Sequence, residues 1–171
     1  MIAYKFLRSD GRGVFTGFRW PLPEGAPGAW VHAHVDPCRS GIHACRVGDL
    51  PLWFGAELYE IELEGDVVHE PSKLIAARAR LLRRIDRWDD GLRADYVSWC
   101  AGRAHEMARG AALDGYDVMV DPCAAQGGAS VGFVVARIAE ELHGMDGYRA
   151  ERGRQAEWLA QRLGVSSQQV S

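Results

Sequence analysis

The chain has 171 residues, 47% of them hydrophobic and 25% charged, and carries a formal net charge of −3. That length supports one domain of ordinary size whose core needs no disulfides, and the composition is that of a globular chain rather than a disordered one. The slightly acidic balance argues against a general nucleic-acid binder, whose domain would be clearly basic.

The opening stretch MIAYKFLRSDGRG turns polar after seven positions and so lacks the apolar core of a signal peptide. No later run approaches the roughly 20 apolar residues of a membrane span. The expectation is a cytoplasmic protein with no membrane partner. In that reducing compartment Cys38, Cys45, Cys100 and Cys123 are expected as free thiols or ligands.

Alternation of apolar and polar residues dominates the first half, in IAYKFL, VFTGFRW, AWVHAHV, GIHAC, ELYEIELEG and DVVHE. The connectors SDGRG, PLPEGAPG, DPCRSG and EGD supply the Gly, Pro and Asp of turns. KLIAARARLL suits helix by composition, but Ala77, Ala79 and Leu81 alternate with Arg78 and Arg80, which predicts a strand entering helix after Arg84. The period then changes. From about Asp90 the residues Leu92, Tyr96, Trp99, Cys100, Met107 and Ala111 recur at three and four, with Asp89 or Asp90 available as N-cap. Tyr116 to Gly128 predicts a short strand or irregular segment ending in a Gly-rich turn. Ser130 can cap a second helix striped by Val131, Val134, Val135, Ile138 and Leu142 and ended by Gly144. A third, from about Gly147, carries Tyr148, Trp158, Leu159 and Leu163 and stops at Gly164.

These elements predict a single α+β domain over 1–171, with a mostly antiparallel sheet in residues 1–85 packed against a three-helix layer in 86–165. Residues 166–171 are a polar tail expected to be flexible.

The stretch WVHAHVDPCRSGIHAC places three of six histidines and two of four cysteines within sixteen positions. If its two halves are the strands of a hairpin, Val35 opposes Ile42, His34 opposes His43 and His32 opposes Cys45. Directly opposed residues share a face, so His32, His34, His43 and Cys45 would form a patch able to hold zinc, with Cys38 and His69 as substitutes. The competing readings are a metal-free pocket centred on His43, and histidines on a half-exposed sheet edge. A histidine at such a centre can act as acid or base near neutral pH, and Cys45 can act as a nucleophile where a positive neighbour stabilises its thiolate.

The order YKF, GF, CRSGIHAC, LPLWF, ELYEIELEGDVV and KLIAARARLLRRI resembles a small bacterial and phage family of uncharacterised domains. Its recurring element is C-x-x-G-hydrophobic-H-A-C, matched here by Cys38, Gly41, His43, Ala44 and Cys45 over roughly the first 85 residues. That resemblance brings no activity with it and favours His43 and Cys45 over His32 and His34. A Gly-hydrophobic-His strand, a short helix and the strand LYEIELEG together resemble, more loosely, the middle of ADP-ribosyltransferase folds, where that strand lines the NAD cleft. The likeness implies an NAD-using transferase, without that family's full set of motifs, and Glu60, Glu62 and Glu64 also alternate as a solvated face does.

Arg78 and Arg80, with Lys73, could hold a phosphate or carboxylate of a cofactor, or instead pair with Glu57, Glu60, Glu62 and Glu64 on a neighbouring strand. QGGAS precedes a helix start as an anion loop or a plain turn. Trp20, Trp30 and Trp53, with Tyr4 and Tyr59, are candidates for an aromatic pocket wall or for core filling, while Trp88, Trp99 and Trp158 pack helices. The expectation is a sheet-lined pocket for a small molecule or nucleotide-type ligand, possessing enzymatic activity or not, with His43 as its polar centre. The rival is a non-catalytic interaction module with structural, metal-stabilised His and Cys residues.

Overall fold

The computed structural model describes residues 1–36, 40–111 and 128–165. Cys38, Cys123, the stretch from Tyr116 to Gly127 and the tail lie outside the described residues. In chain order the elements are β1 (Ile2–Leu7), β2 (Val31–His32), β3 (Ile42–Ala44), a 3-10 helix (Val47–Leu52), β4 (Glu57–Glu70), β5 (Lys73–Arg84), α1 (Asp90–Ala111) and α2 (Gly128–Leu163). An N-terminal antiparallel sheet followed by helices is an α+β fold.

The sheet is built on the β4–β5 hairpin, whose turn is Pro71–Ser72. The break expected at Gly65 is absent, and β4 runs unbroken through it. The ladder instead slips twice, once between Glu60 and Ile61 and once between Glu64 and Val67. The first slip gives β5 an extra residue, Leu82, and the second gives β4 one near Gly65, so the register set by the turn is recovered. Bulges bend and twist their strands, which lets a hairpin this long curl instead of lying flat. KLIAARARLL is strand throughout, and the chain turns at Ile85–Trp88 before α1, where Asp89 Oδ1 accepts the Leu92 amide at 2.8 Å.

β1 pairs with the outer edge of β4, and both β2 and β3 pair with the other edge of β5. Tyr4 and Cys45 then exchange backbone hydrogen bonds of 2.9 and 2.8 Å, so the free edge beyond β3 meets β1 and the sheet wraps round on itself. One core lies against the inner faces of these strands, with Ala3, Leu7, Ile61, Leu63, Leu74 and Trp20 among its buried residues. The alternate residues Tyr4, Phe6 and Leu58 face the helices instead. VFTGFRW does not form the expected strand. Gly13 donates to Phe18 O at 2.8 Å and Gly17 to Gly13 O at 3.0 Å, so the segment folds onto itself rather than offering its amides to a ladder.

The helical layer buries Tyr96, Cys100, Val131, Val135, Ile138 and Leu159, the stripes expected from their spacing. Ser130 lies inside α2 rather than capping it. The second and third expected helices join at Gly144, whose φ of 68° and ψ of −166° break the helix within one residue. Gln155 Nε2 donates to Gly132 O across this pair at 2.9 Å, and Gln155 Oε1 accepts from Tyr96 at 3.3 Å. The fully buried Glu151 is met by Arg103 at 2.8 Å and Arg154 at 3.2 Å, so its charge is compensated from two sides. Phe54, Trp88, Tyr96, Trp99 and Trp158 form a chain of ring contacts from the sheet into this layer.

β3 docks on β5 through Gly41. Its φ is 131°, and a Cβ built there would stand 2.4 Å from Ile75 Cγ2. Gly41→Ala is therefore expected to lower stability by about 1 to 3 kcal/mol, through backbone strain and overpacking together. A denaturant titration that left the midpoint unchanged would show that β3 can shift away from β5 without cost.

A basic, aromatic-walled cavity beside the β1–β3 seam

Beyond the Tyr4–Cys45 bridge, β1 and β3 no longer bond backbone to backbone, and a cavity of about 490 Å³ opens there. Its walls come from β1, from the loop over residues 13–20, from β2 and β3, and from Leu52 at the end of the 3-10 helix with Trp53 and Phe54 after it. Trp20 is buried and meets Phe18 edge-on at 5.7 Å, and Trp53 meets Phe15 likewise at 5.9 Å. Phe15 and Phe18 are 80% and 47% exposed, so large apolar rings here remain open to solvent. Hydrogen bonds fix the frame. Trp53 Nε1 donates to Ser72 O at 2.7 Å, and Arg46 ties the 3-10 helix to the β4–β5 turn through Asp49 at 2.6 Å and Glu70 O at 2.9 Å.

Lys5 lies between Tyr4 and Phe6 on β1, so period-two alternation turns it away from the helices and toward the cavity. Its Nζ donates to His43 O at 2.6 Å and stands 4.9 Å from the centre of the Trp20 ring. Among the described residues no carboxylate is within ion-pair distance of it. Desolvation pulls its pKa down from 10.5 to about 8, with the Cys45 thiol opposing weakly. The His43 ring is exposed, as an outward position in β3 requires, and its pKa is lowered by partial burial and by the charges of Lys73 and Lys5. It is therefore a neutral imidazole at neutral pH.

The expected ligand hairpin does not form. β2 and β3 pair with β5 rather than with each other, so His32 faces Arg78, His43 faces Ile75 and Cys45 faces Tyr4. Asp36–Ser40 is the remaining cross-link between the two segments, and His34 O accepts from Ser40 Oγ at 2.8 Å. Long β5 offers both short strands a ready edge, which a six-residue turn has to compete with. Among the described residues no group of three His, Cys, Asp or Glu side chains is placed to hold a metal ion. His32 and His43 line the cavity, and His69 sits on β4 opposite Leu74. Cys45 is buried toward the helices, its Sγ donates to Tyr4 O at 3.4 Å, and burial pushes its pKa up. It is a packed thiol with no thiolate available to react at neutral pH.

Arg78 and Arg80 lie elsewhere. They pair with Glu64 at 2.6 Å and Glu62 at 2.8 Å, and both guanidiniums stack on Trp30, at 4.2 and 4.5 Å from its ring centre. Glu60 is met by Arg83 at 2.7 Å. Of the aromatic residues expected at a pocket wall, Trp20, Trp53 and Tyr4 line the cavity, whereas Tyr59 fills the sheet core. No family model, curated protein or solved structure matches the chain.

Lys5 escapes sequence reasoning because one lysine in an alternating strand looks like a solvated position. A signal was nonetheless present. Only two of the twenty Lys and Arg residues are lysines, Lys5 and Lys73, and both line the cavity.

His43→Ala is expected to change stability by less than about 0.5 kcal/mol, because the ring is exposed; thermal unfolding of the variant checks this. Lys5 acts oppositely to a paired lysine. Its ammonium is disfavoured in the folded state, so the unfolded chain holds that proton to higher pH, and stability rises between about pH 8 and 10.5. Lys5→Met should remove that rise and, allowing for partial exposure, stabilise the protein at pH 7 by about 1 to 2 kcal/mol. Denaturant midpoints measured from pH 6 to 10 on both proteins check it, and a variant less stable at pH 7 would mean that the His43 carbonyl contact outweighs desolvation.

Proposed function

We propose that this protein binds a small molecule with a flat apolar body and an anionic group, in the cavity beside the β1–β3 seam. The observation that carries this reading is the convergence of Lys5, Lys73 and His43 on an aromatic-walled space of about 490 Å³. That volume suits a ligand of a few fused or linked rings. Trp20 and Trp53 supply faces for ring stacking, and exposed Phe15 and Phe18 extend the apolar surface to solvent. Among the described residues Lys5 has a carbonyl and a ring for neighbours but no carboxylate, so an anionic group of the ligand would complete its environment.

His43 remains the polar centre expected from the sequence, now as a neutral imidazole able to accept or relay a proton. Catalysis is one use of such a site and simple binding another, and both begin with occupancy of the cavity. The probe is 2-naphthoate, followed by ligand-observed NMR. Binding with Kd below about 1 mM is expected, weakened roughly tenfold in Lys5→Met, as loss of one charge-assisted contact implies. Equal binding to both proteins, or to neither, would overturn the reading.

A further inference from the structure

The cavity holds a cation of an unusual kind for this chain. Eighteen of the twenty basic side chains are arginines, which stay protonated at any physiological pH and cannot act as nucleophiles. The two amines that side chains can offer both stand on the cavity wall. Arg78, Arg80, Arg83 and Arg103 are each held by a carboxylate, whereas Lys5 is held by the His43 carbonyl and the face of Trp20. A carbonyl contact leaves the nitrogen able to lose its proton, and among the described residues no carboxylate pairs with the ammonium.

We propose that Lys5 is an amine nucleophile that condenses with the carbonyl group of an aldehyde or ketone held in the cavity, forming an imine. This rests on the cavity reading and names the ligand's reacting group. The lone pair of neutral Nζ forms a C–N bond at the carbonyl carbon while the C=O π pair moves to oxygen. One nitrogen proton passes to that oxygen to give a carbinolamine. The nitrogen lone pair then expels the oxygen, which takes the second nitrogen proton and departs as water. Both hydrogens of the amine thus leave with the carbonyl oxygen, and no oxidant or reductant enters. Solvent that enters past the exposed rings of Phe15 and Phe18 can carry these protons. Burial in apolar surroundings is a known route to a reactive lysine. With its pKa near 8, on the order of a tenth of Lys5 is free amine at neutral pH. The groups around it are Cys45, a packed thiol that opposes the loss of the proton, His43 and, on the cavity wall, Lys73; among the described residues no carboxylate pairs with it.

The test treats the wild-type protein with 4-carboxybenzaldehyde and sodium cyanoborohydride at pH 7.5. Hydride reduces any imine to a stable secondary amine, and peptide mass spectrometry locates it. Lys73 and the Met1 α-amine are internal comparators, so no variant is needed for the primary result. Expected is labelling of Lys5 at least tenfold faster than Lys73, saturating with aldehyde concentration, suppressed by 4-methylbenzoate, and lost when the protein is unfolded in urea. Lys5→Arg should lose the fast phase while Lys73 labels as before. Labelling of Lys5 that is linear in aldehyde and no faster than that of Lys73 would overturn the proposal. Binding of 2-naphthoate alongside that result would leave the cavity reading standing while the imine falls. Saturable trapping at Lys5 without naphthoate binding would keep the amine nucleophile and remove the preference for anions.

Discussion

Two backbone hydrogen bonds between Tyr4 and Cys45 hold the geometry of the site. They are the point at which the free edge of the sheet meets its first strand, and so they decide where β1 and β3 touch and where they part. Among the described residues no other backbone pair joins β1 to β3, and the cavity opens beside the bridge. The bridge also sorts side chains: with Tyr4 and Cys45 packed in the core against the helices, the next residue along β1, Lys5, turns to the opposite face of the strand.

The electrostatics follow from the same division. On the outer face of β4 and β5 each arginine has a carboxylate opposite or diagonal to it, and Trp30 covers two of the guanidiniums, so charge there is balanced locally. In the helical layer the buried Glu151 has two arginines. The cavity lacks this balance among the described residues. Its basic groups are the amines of Lys5 and Lys73 and the imidazole of His43, in a space walled by rings, and burial lowers the pKa of Lys5 and of His43.

The fold class was legible because it rests on period alone. Alternation marked IAYKFL, GIHAC, ELYEIELEG and KLIAARARLL as strands, and the spacing of Val131, Val135 and Ile138 marked a buried helix face. What period cannot tell is which strand pairs with which. The DPCRSG turn suggested a local hairpin, yet two- and three-residue strands gain little from each other and more from the long edge of β5. Because both segments pair with β5, His32, His34, His43 and Cys45 do not share one ligand face. Gly65 misled in the same manner, since a glycine before an aspartate reads as a turn but serves equally well in a bulge. His43 stands out in its sequence context, and the structure places it on the cavity wall, whereas Lys5 depends on a neighbour 38 residues away, a separation at which local pattern carries no information.

Burial of the two described cysteines has a consequence for how the molecule opens. Cys45 sits at the strand seam and Cys100 in the helical layer, both buried, with Cys100 pushed up to about 12 by desolvation and Cys45 pushed up as well. Neither reacts while its surroundings are closed, so each thiol is a built-in clock for its own neighbourhood. Alkylation at equal rates would describe a molecule that opens as one cooperative unit. Earlier modification of Cys45 would describe a seam that parts while the helices stay packed, admitting to the cavity ligands larger than its closed form can receive.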